Sequence, residues 1–520
     1  MASCRNDDWL MQTMPCEASG MNARFWWSGV VLSCLALAGC ESSGGKGDAG
    51  AVVEDGGTPG DGGAGDAGPG DAGTDPLACE KQRGVCAGAM RAMVDGAYEL
   101  ECTARSYGAD YESAETRCDG LDNDCDGVTD PSVESRVTAL PGGYEVGQLS
   151  SLRTEAGVLV AVFDGATDAR VLRLDENLRV QETSNVPMAW VRTGTARQYV
   201  RTAKLVRTSE GLALFYSTMS FRVAPLNAYL VPLEANGAPK RGADGEVLEY
   251  RLLDRPMDEG PTVVAASTEH DRLVVLWTTG RPPTQPVQVM GTVVDSKGQV
   301  LVAPKVLFES ASNWAPSPGS ALWLRNGELM VALVEESGRG QGTIRVRRLD
   351  SALEQVGEER VFTTSEQPVP QLVDLGESAG APLSSPMLVW RSREAPEYLR
   401  WIRVAGHLFE GGQPVTWLKD TPGYIPWFGA FVDDGVLRLS WLSRFFDGWE
   451  NNTPIYWGRL WTQDVGDAPV DRTPGLELMP LNEHAMWVLM EKVAPRRMAT
   501  MYTATTDAGQ FLDAVRYCTP

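Results

Sequence analysis

Hydrophobic positions in residues 135–520 form short runs bounded by turn residues, with almost no long stretch at helical spacing. Seven apolar runs begin roughly fifty to sixty residues apart, and most follow a turn signal such as EAG, SEG, RNG or DDG. Short runs of this kind predict buried β-strands. The runs are VLVAVFDG from Val158, LALFYSTM from Leu212, LVVLWTTG from Leu273, LMVALVEE from Leu329, PMLVWRSR from Pro386, LRLSWLSR from Leu437 and AMWVLMEK from Ala485.

A second, more strictly alternating run follows each of these, as in ARVLRLDENL and VMGTVVDSKG, and a short closing run such as KVLFES or AVRYC usually comes next. Repeats of this length, with about four antiparallel strands each, are typical of propeller blades. The pattern therefore predicts an all-β domain over residues 135–520, a seven-bladed β-propeller. Six or eight blades, or an array of β-sandwiches, are the alternatives, although sandwiches would not repeat one order of turn, core strand and alternating strand.

Length and charge narrow the classes of function. The chain has 520 residues, a formal net charge of −23 and a pI near 4.7. This length fits two or more domains, or one large β domain with attachments. The negative charge argues against nucleic-acid binding, which needs a basic surface, and against electrostatic docking on anionic lipid.

The N-terminal region carries a targeting pattern. Arg24 supplies a positive charge, and residues 25–38 form an apolar run that is short for a membrane span. The run ends in Leu37-Ala38-Gly39-Cys40, which resembles the lipobox of bacterial lipoproteins, whose cysteine is acylated. We expect residues 1–20 to be untranslated, residues 21–39 to be a signal peptide and Cys40 to anchor the chain extracytoplasmically, at the outer membrane or cell surface. A plain secretory signal is the alternative.

Residues 40–75 consist mostly of Gly, Ala, Asp and Pro and contain no aromatic residue. Such a segment cannot bury enough apolar surface to offset its ordering entropy, so we expect a disordered tether. Residues 76–134 follow as a small polar module, in which disulfides or a metal replace a large core. Its cysteines are Cys79, Cys86, Cys102, Cys118 and Cys125.

Within the module, CDGLDNDCDGVTD at residues 118–130 concentrates acids around a glycine. Oxygen ligands at alternate positions converge when a loop wraps a cation, and Gly127 permits the sharp turn. The loop is not an EF-hand, because Val133 replaces the bidentate Glu and Pro131 prevents the following helix. The predicted Ca²⁺ ligands are Asp119, Asp122, Asn123, Asp124, Asp126, Asp130 and the carbonyl of Val128.

Cys118 and Cys125 bracket these acids, and six intervening residues allow a disulfide that would staple the loop. A thiolate metal site is the alternative, but an oxidising compartment and hard oxygen ligands argue against it. A solvated acidic turn without any metal also remains open.

The strings ACEKQRGVCAG, VDGAYELEC and SYGADYESAETRCDGLDNDCDGVTD together resemble the metal-binding repeat of MopE-type proteins of myxobacteria and related bacteria. The resemblance covers about a tenth of the chain, and the family name implies copper. The module contains no histidine, and Met90 and Met93 are its candidate soft ligands, so the residues themselves favour Ca²⁺.

Members of this family carry a further cysteine where this chain has Met93, which leaves five module cysteines. Five cysteines cannot all pair with one another. Besides Cys40, the other cysteine expected in the mature chain is Cys518. We therefore expect one module cysteine to pair with Cys518 and to fasten the module to the last blade; two free thiols are the alternative.

H-E-x-x-H, P-loop and S-x-D-x-G-x-x-W strings do not occur in the sequence. His270, His407 and His484 are the only histidines. The periodic Trp277, Trp390 and Trp441 predict packing between blades. A sugar-binding platform is the alternative for the aromatic residues near residue 450, namely Trp427, Trp449, Trp457 and Trp461.

These observations favour a lipid-anchored binding or scaffold protein with an unknown protein or glycan ligand. A carbohydrate-active hydrolase or lyase that uses the propeller channel is the alternative. The two differ in one respect: the hydrolase needs two or three acids that converge at the channel.

Overall fold

The computed structural model describes residues 77–140, 148–163, 168–189, 199–219, 227–253, 263–280, 286–310, 316–336, 341–365, 368–374, 386–391, 399–404, 416–417, 424–433, 435–450, 453–465, 476–481, 484–506 and 508–519. These residues belong to one compact unit, Thr74–Pro520. The expected signal peptide, Cys40, the tether and His407 lie outside the described residues.

The module contains little regular structure. Its elements are a 3₁₀ turn at Gly84–Cys86, β1 at Met93–Val94, β2 at Ala97–Tyr98 and α1 at Ala104–Tyr107, and β3 at Val133–Leu140 follows it. β1 and β2 form a short hairpin. Among the described residues, no helix is long and apolar enough to cross a membrane.

Seven four-stranded antiparallel sheets, or blades, make up the rest of the chain. Blade 1 contains β4 Gln148–Thr154, β5 Gly157–Phe163, β6 Asp168–Leu174 and β7 Val180–Pro187; blade 2 contains β8 Tyr199–Thr208, β9 Gly211–Met219, β10 Ala228–Leu233 and β11 Tyr250–Arg251. Blade 3 contains β12 Val263–Ser267, β13 Arg272–Thr279, β14 Gln288–Val294 and β15 Val300–Glu309; blade 4 contains β16 Pro316–Trp323, β17 Leu329–Glu336, β18 Gln341–Leu349 and β19 Arg360–Ser365.

Blade 5 contains β20 Val369–Asp374, β21 Pro386–Arg391, β22 Leu399–Arg403 and β23 Thr416–Trp417; blade 6 contains β24 Tyr424–Asp433, β25 Val436–Glu450, β26 Thr453–Val465 and β27 Leu476–Leu481. Blade 7 contains β28 His484–Ala494, β29 Arg497–Thr506 and β30 Gly509–Cys518, together with β3. The first strand of each blade packs against the first strand of the next, and β28 packs against β4. The blades therefore form a closed ring, and the predicted seven-bladed propeller is confirmed.

Apolar seams between neighbouring blades form the core of the ring. The buried apolar residues that the structure describes in the ring group into seven clusters, one at each seam. On β5, Val158, Val160 and Val162 pack towards blade 7, whereas Leu159 and Phe163 pack towards blade 2. Because side chains alternate across a strand and both faces are covered, these strands read as unbroken apolar runs.

The last blade corrects the sequence-based strand assignment. The sequence grouped AMWVLMEK with six apolar runs that form the second strands of their blades, but this run lies in β28, the innermost strand of blade 7. AVRYC was predicted as a closing strand, but it lies in β30, the third strand. The outermost strand is β3, which pairs with β30 and brings Val133 opposite Arg516. Residues from the start and the end of the ring thus share a sheet, and this closure leaves β30 without a free edge.

The three periodic tryptophans lie in the seams, as predicted. Trp277 is buried between blades 2 and 3, Trp390 between blades 4 and 5, and Trp441 between blades 5 and 6.

Candidate metal centre and central channel

Disulfides hold the module together around a very small apolar core. Cys79 bonds to Cys102, and Cys86 bonds to Cys125. The buried apolar cluster contains three of these cysteines and Tyr107. Such a cluster is too small to stabilise a domain by burial alone, so covalent links take its place.

The third disulfide joins the module to the ring. Cys118 bonds to Cys518 at the end of β30, across a sequence separation of 400 residues. The predicted link between a module cysteine and Cys518 is therefore confirmed, and all six candidate cysteines are paired.

The predicted Cys118–Cys125 staple is wrong. Cys125 is buried in the module core beside Cys86, whereas Cys118 lies against the last blade, where it lines a cleft with Cys518. The turn between them directs the two side chains to different neighbours. Because their sulfurs are all in disulfides, the six paired cysteines offer no thiolate to a metal.

Asp122 organises the acidic loop, residues 118–130. Its buried carboxylate accepts hydrogen bonds from the backbone N–H groups of Asp126 at 3.1 Å and Gly127 at 2.9 Å. Gly127 has a φ of 99°, which glycine adopts without strain. The loop therefore curls around the Asp122 carboxylate.

Three carboxylates converge next to this turn. Oxygen atoms of Glu115, Asp122 and Asp124 all lie within 4.8 Å of one another. Ca²⁺ binds oxygen ligands at about 2.3–2.6 Å, so ligands on opposite sides of one ion are about 5 Å apart. The spacing of the three carboxylates therefore fits a single bound cation.

Buried oxygens without a hydrogen-bond donor accompany the three carboxylates. Within the described part of the chain, Glu115 Oε1, Asn123 Oδ1 and Asp130 Oδ1 are buried and accept no hydrogen bond. Asn123 is fully buried, and its backbone N–H donates to Glu115 Oε2 at 2.7 Å. Because buried polar atoms nearly always have a partner, these oxygens have acceptor capacity that a bound water or a cation could use.

The charge around Glu115 is strongly negative. Burial is the largest cause of its raised pKa, and the Asn123 N–H bond acts against that shift. The negative charges of Asp130, Glu112 and Asp124 raise the pKa further. A cation at this position would relieve the repulsion.

The remaining predicted acids each use one carboxylate oxygen to accept a backbone N–H within the loop, as Asp and Asn commonly do in turns. These bonds run from Leu121 N to Asp119 Oδ1, from Val128 N to Asp126 Oδ1 and from Gly120 N to Asp130 Oδ2. The structure thus groups Asp122 and Asp124 from the predicted set, and ligation by the others stays a prediction.

Two side-chain cations bind carbonyl oxygens of the loop rather than its carboxylates. Lys81 Nζ donates to the Asp124 carbonyl at 2.5 Å, and Arg83 Nη1 donates to the Asp126 carbonyl at 3.2 Å. These bonds stabilise the backbone of the loop. In the ion pairs of the described residues, neither the Asp122 nor the Asp124 carboxylate has a lysine or arginine partner.

Sequence reasoning missed Glu115 because it lies outside the D-x-D-x-D-G string. Backbone pairing brings it into place: Glu112 N donates to the Asn123 carbonyl at 2.9 Å, which lays the segment before Cys118 beside the acidic loop. Nothing in the spacing of the sequence signals this tertiary contact.

A belt of polar side chains surrounds the central channel. At each of the seven seams, a side chain on one innermost strand hydrogen-bonds to the next innermost strand. The bonds join Leu205 N to Ser150 Oγ (2.9 Å), Lys204 Nζ to Val264 O (3.4 Å), Trp323 Nε1 to Ala265 O (3.1 Å), Leu372 N to Ser320 Oγ (3.0 Å), Gln371 Nε2 to Ala430 O (3.3 Å), Lys492 Nζ to Asp433 Oδ1, and Glu491 to Ser151. The belt links neighbouring blades.

Three acids lie on the described innermost strands. They are Asp374, Asp433 and Glu491. Asp433 pairs with Lys492 and lies 3.8 Å from Arg438. Burial raises the pKa of Glu491 to about 7, while Ser151 and the charge of Arg153 oppose this shift, and no carboxylate contributes to it. The raised pKa of Glu491 therefore comes from burial and not from a second carboxylate.

The other residues singled out by the sequence have structural surroundings. His270 lies in an exposed turn, and His484 starts β28. Trp461 is buried and stacks on Trp441 with ring centroids 6.4 Å apart, and Trp427 packs against Trp487 at 6.5 Å. The side chains of Trp449 and Trp457 lie outside the described residues.

The fold and the site define a seven-bladed β-propeller joined by a disulfide to a small acidic module. No family model matches the chain, and no curated protein does. Among solved structures, the fold is similar to a thermostable family-43 glycoside hydrolase, with 11% identity, a TM-score of 0.34 and coverage of 55% of this chain and 97% of that one. It is also similar to a sialidase of Trypanosoma rangeli, with 11% identity, a TM-score of 0.34 and coverage of 74% and 60%.

A protein of unknown function from Dyadobacter fermentans is a further match, with 10% identity, a TM-score of 0.37 and coverage of 74% of this chain and 99% of that one. Likeness at this level of identity concerns the fold alone.

Proposed function

We propose that this protein is a lipid-anchored, extracytoplasmic binding scaffold in which the acidic loop binds Ca²⁺ and thereby holds the propeller ring closed. The observation that carries the metal site is the convergence of Glu115, Asp122 and Asp124 beside buried oxygens that lack a donor. Carboxylate and amide oxygens suit Ca²⁺ rather than a soft metal. Copper, which the family name implies, would find no described histidine or thiolate there.

The link between the metal site and the ring follows from the two ends of the loop. Cys118, at its start, is bonded to Cys518 on β30. Val133, just after its end, pairs with Arg516 on the same strand. A cation that stiffens the loop therefore restrains β3 against β30, where the ring closes.

Calcium titration of the full chain tests the metal site. The full chain is needed because Cys118 is bonded to Cys518. We expect Ca²⁺ to raise the midpoint of thermal unfolding, Mg²⁺ to do so less, and EGTA to reverse the effect. Binding measured by calorimetry should weaken at least about tenfold in Glu115→Gln and Asp124→Asn, because both remove ligand charge.

The matched control is Asp95→Asn, an acid of the same module outside the cluster. Its φ of 51° is one that asparagine tolerates well. No binding at millimolar Ca²⁺, or equal loss of affinity in the control, would rule out the site.

The extracytoplasmic location draws support from the three disulfides, since disulfides persist in oxidising compartments. The lipid anchor rests on the sequence around Cys40. Radiolabelled palmitate should label the wild-type chain and not Cys40→Ala, and the variant should leave the membrane fraction.

The alternative, a hydrolase or lyase acting on polysaccharide in the channel, draws on one observation. The pKa of Glu491, about 7, matches that of a general acid at neutral pH. A retaining or inverting glycosidase also needs a second carboxylate. Release of reducing ends from a panel of neutral and acidic polysaccharides, abolished in Glu491→Gln, would favour this alternative over the scaffold.

A further inference from the structure

A cleft lies between the module and the end of the last blade, and we call it the junction cleft. Its lining residues on the blade include Arg497, Arg516 and Cys518, and those on the module side include Thr116 and Arg117. The Cys118–Cys518 disulfide forms part of its wall.

The two blade arginines point into the same space. Arg497 pairs directly with Cys518 across β29 and β30, and Arg516 lies two residues before Cys518. Paired residues and residues two apart share one face of a sheet, so both guanidinium groups lie on the face that carries the disulfide. Both arginines are half-buried.

Neither arginine has an anionic partner among the described residues. No carboxylate lies within ion-pair distance of Arg497 or Arg516, and Arg516 donates from Nη1 to the amide oxygen of Asn177 at 2.8 Å. Burial lowers the pKa of Arg516, and the positive charges of Arg497 and Arg179 lower it further, against the smaller effects of Asp175 and Glu176. Two neighbouring arginines without a carboxylate partner are unexpected in a chain with a net charge of −23.

The other charged groups of the cleft are already engaged. Arg117 lies within ion-pair distance of Asp110, Glu112 and Asp119, at 3.6, 3.2 and 3.8 Å. Glu115 belongs to the acidic cluster and accepts the Asn123 N–H. Neither group neutralises the two blade arginines.

We infer that the junction cleft binds an oxyanion, a carboxylate, sulfate or phosphate monoester, between the guanidinium groups of Arg497 and Arg516. Guanidinium presents planar pairs of N–H donors that match two oxygens of such a group. The oxyanion can be a free inorganic ion or the acid group of a sugar; the chemistry of recognition is the same. Glu115 is the one proposed Ca²⁺ ligand that lines the cleft, and the contacts to the oxyanion come from the two arginines.

Anion titration of the full chain at constant ionic strength tests the inference. Sodium sulfate, sodium phosphate and sodium glucuronate are each titrated calorimetrically, with sodium chloride as the reference. We expect at least one oxyanion to bind, and the double variant Arg497→Gln/Arg516→Gln to bind it about tenfold more weakly or worse, since charge-assisted hydrogen bonds are lost. Tighter binding of glucuronate identifies a sugar acid as the source, and tighter binding of sulfate or phosphate identifies an inorganic ion.

Two further variants keep the result interpretable. Arg105→Gln removes an exposed module arginine that forms no described ion pair, and it should bind as the wild type does. Arg497→Lys keeps the charge and loses the planar fork, so it should bind more weakly without changing the fold. The inference would be overturned if none of the three oxyanions bound more tightly than chloride, or if the double variant bound them with wild-type affinity.

Discussion

The ring and the module are stabilised by different interactions. The ring buries apolar side chains in seven seams, and its largest fully buried residues include Trp390, Trp401 and Trp441. The module buries a cluster of three cysteines and Tyr107, and carboxylates cap its turns. A fold with a large interior is held by burial, whereas a small polar segment needs covalent links or a metal.

The two strategies meet on one strand, β30. Its apolar residues pack in the seams on either side of blade 7, its edge accepts β3, and its last cysteine bonds to the module. The following predictions test whether the ring and the module depend on these different interactions.

The largest expected effect comes from the Cys118–Cys518 disulfide. Loop-closure entropy alone gives up to about 6 kcal/mol for a separation of 400 residues, against about 3.5 kcal/mol for the 23 residues between Cys79 and Cys102. We expect Cys118→Ser/Cys518→Ser to lower the free energy of unfolding more than Cys79→Ser/Cys102→Ser does, in denaturant titrations of the full chain. The opposite order would show that the closure of the ring does not depend on the module.

A seam tryptophan should have the next largest effect. Trp390 is 1% exposed and packs against Phe362 with ring centroids 5.6 Å apart. We expect Trp390→Ala to destabilise the ring by about 3–5 kcal/mol, because it leaves a cavity in a close-packed seam. Trp390→Phe, the conservative control, should cost less. A loss below about 1 kcal/mol for the alanine variant would mean that the seam does not stabilise the ring as argued.

Glu491 gives the seam between the last and first blades a dependence on pH. Its folded pKa of about 7 lies above the usual 4.5, so the folded chain retains a proton that the unfolded chain releases between these values. Stability should therefore fall as pH rises from about 4.5 to 7 and then level off, by up to about 3 kcal/mol. Glu491→Gln should remove this slope and exceed the wild type in stability at pH 8.

The exposed acid Glu155, in the turn between β4 and β5, provides the control for this measurement. Glu155→Gln should keep the wild-type slope in thermal unfolding between pH 4 and pH 8. An unchanged slope in Glu491→Gln would assign the pH dependence to other groups.

The smallest effect is expected in the polar belt. Ser320→Ala leaves Leu372 N–H without the hydroxyl that accepts its hydrogen bond at 3.0 Å. The expected loss is about 1–2 kcal/mol in the free energy of unfolding, because the donor stays partly buried. Ser351→Ala, in an exposed turn, should change stability by less than about 0.5 kcal/mol. Equal effects of the two substitutions would contradict a role for the belt.

The blades could be predicted from the sequence because their strands are buried on both faces. A run such as that from Val158 to Phe163 signals a strand by itself, and its repetition signals the ring. The assignment failed in blade 7, because its fourth strand, β3, lies almost 400 residues away in the sequence. Local patterns do not encode pairing over such a distance.

The candidate metal site could be predicted only in part, for the same reason. Asp122 and Asp124 belong to a local string with recognisable spacing, whereas Glu115 reaches them through backbone pairing of a neighbouring segment. The link to Cys518 followed from counting cysteines, but the identity of its partner, Cys118, and the pairing of Cys125 with Cys86 depended on the packing of the module. Local chemistry is visible in a sequence, and tertiary contacts are not.

The central claim is that Ca²⁺ in the acidic loop restrains the strand that closes the ring. Amide hydrogen exchange of the full chain, with Ca²⁺ and with EGTA, measures this restraint directly. We predict slower exchange in residues 118–130 and in β3 when Ca²⁺ is present, with no change in β13 on the far side of the ring. Equal exchange of β3 in both conditions, although Ca²⁺ is bound, would contradict the claim.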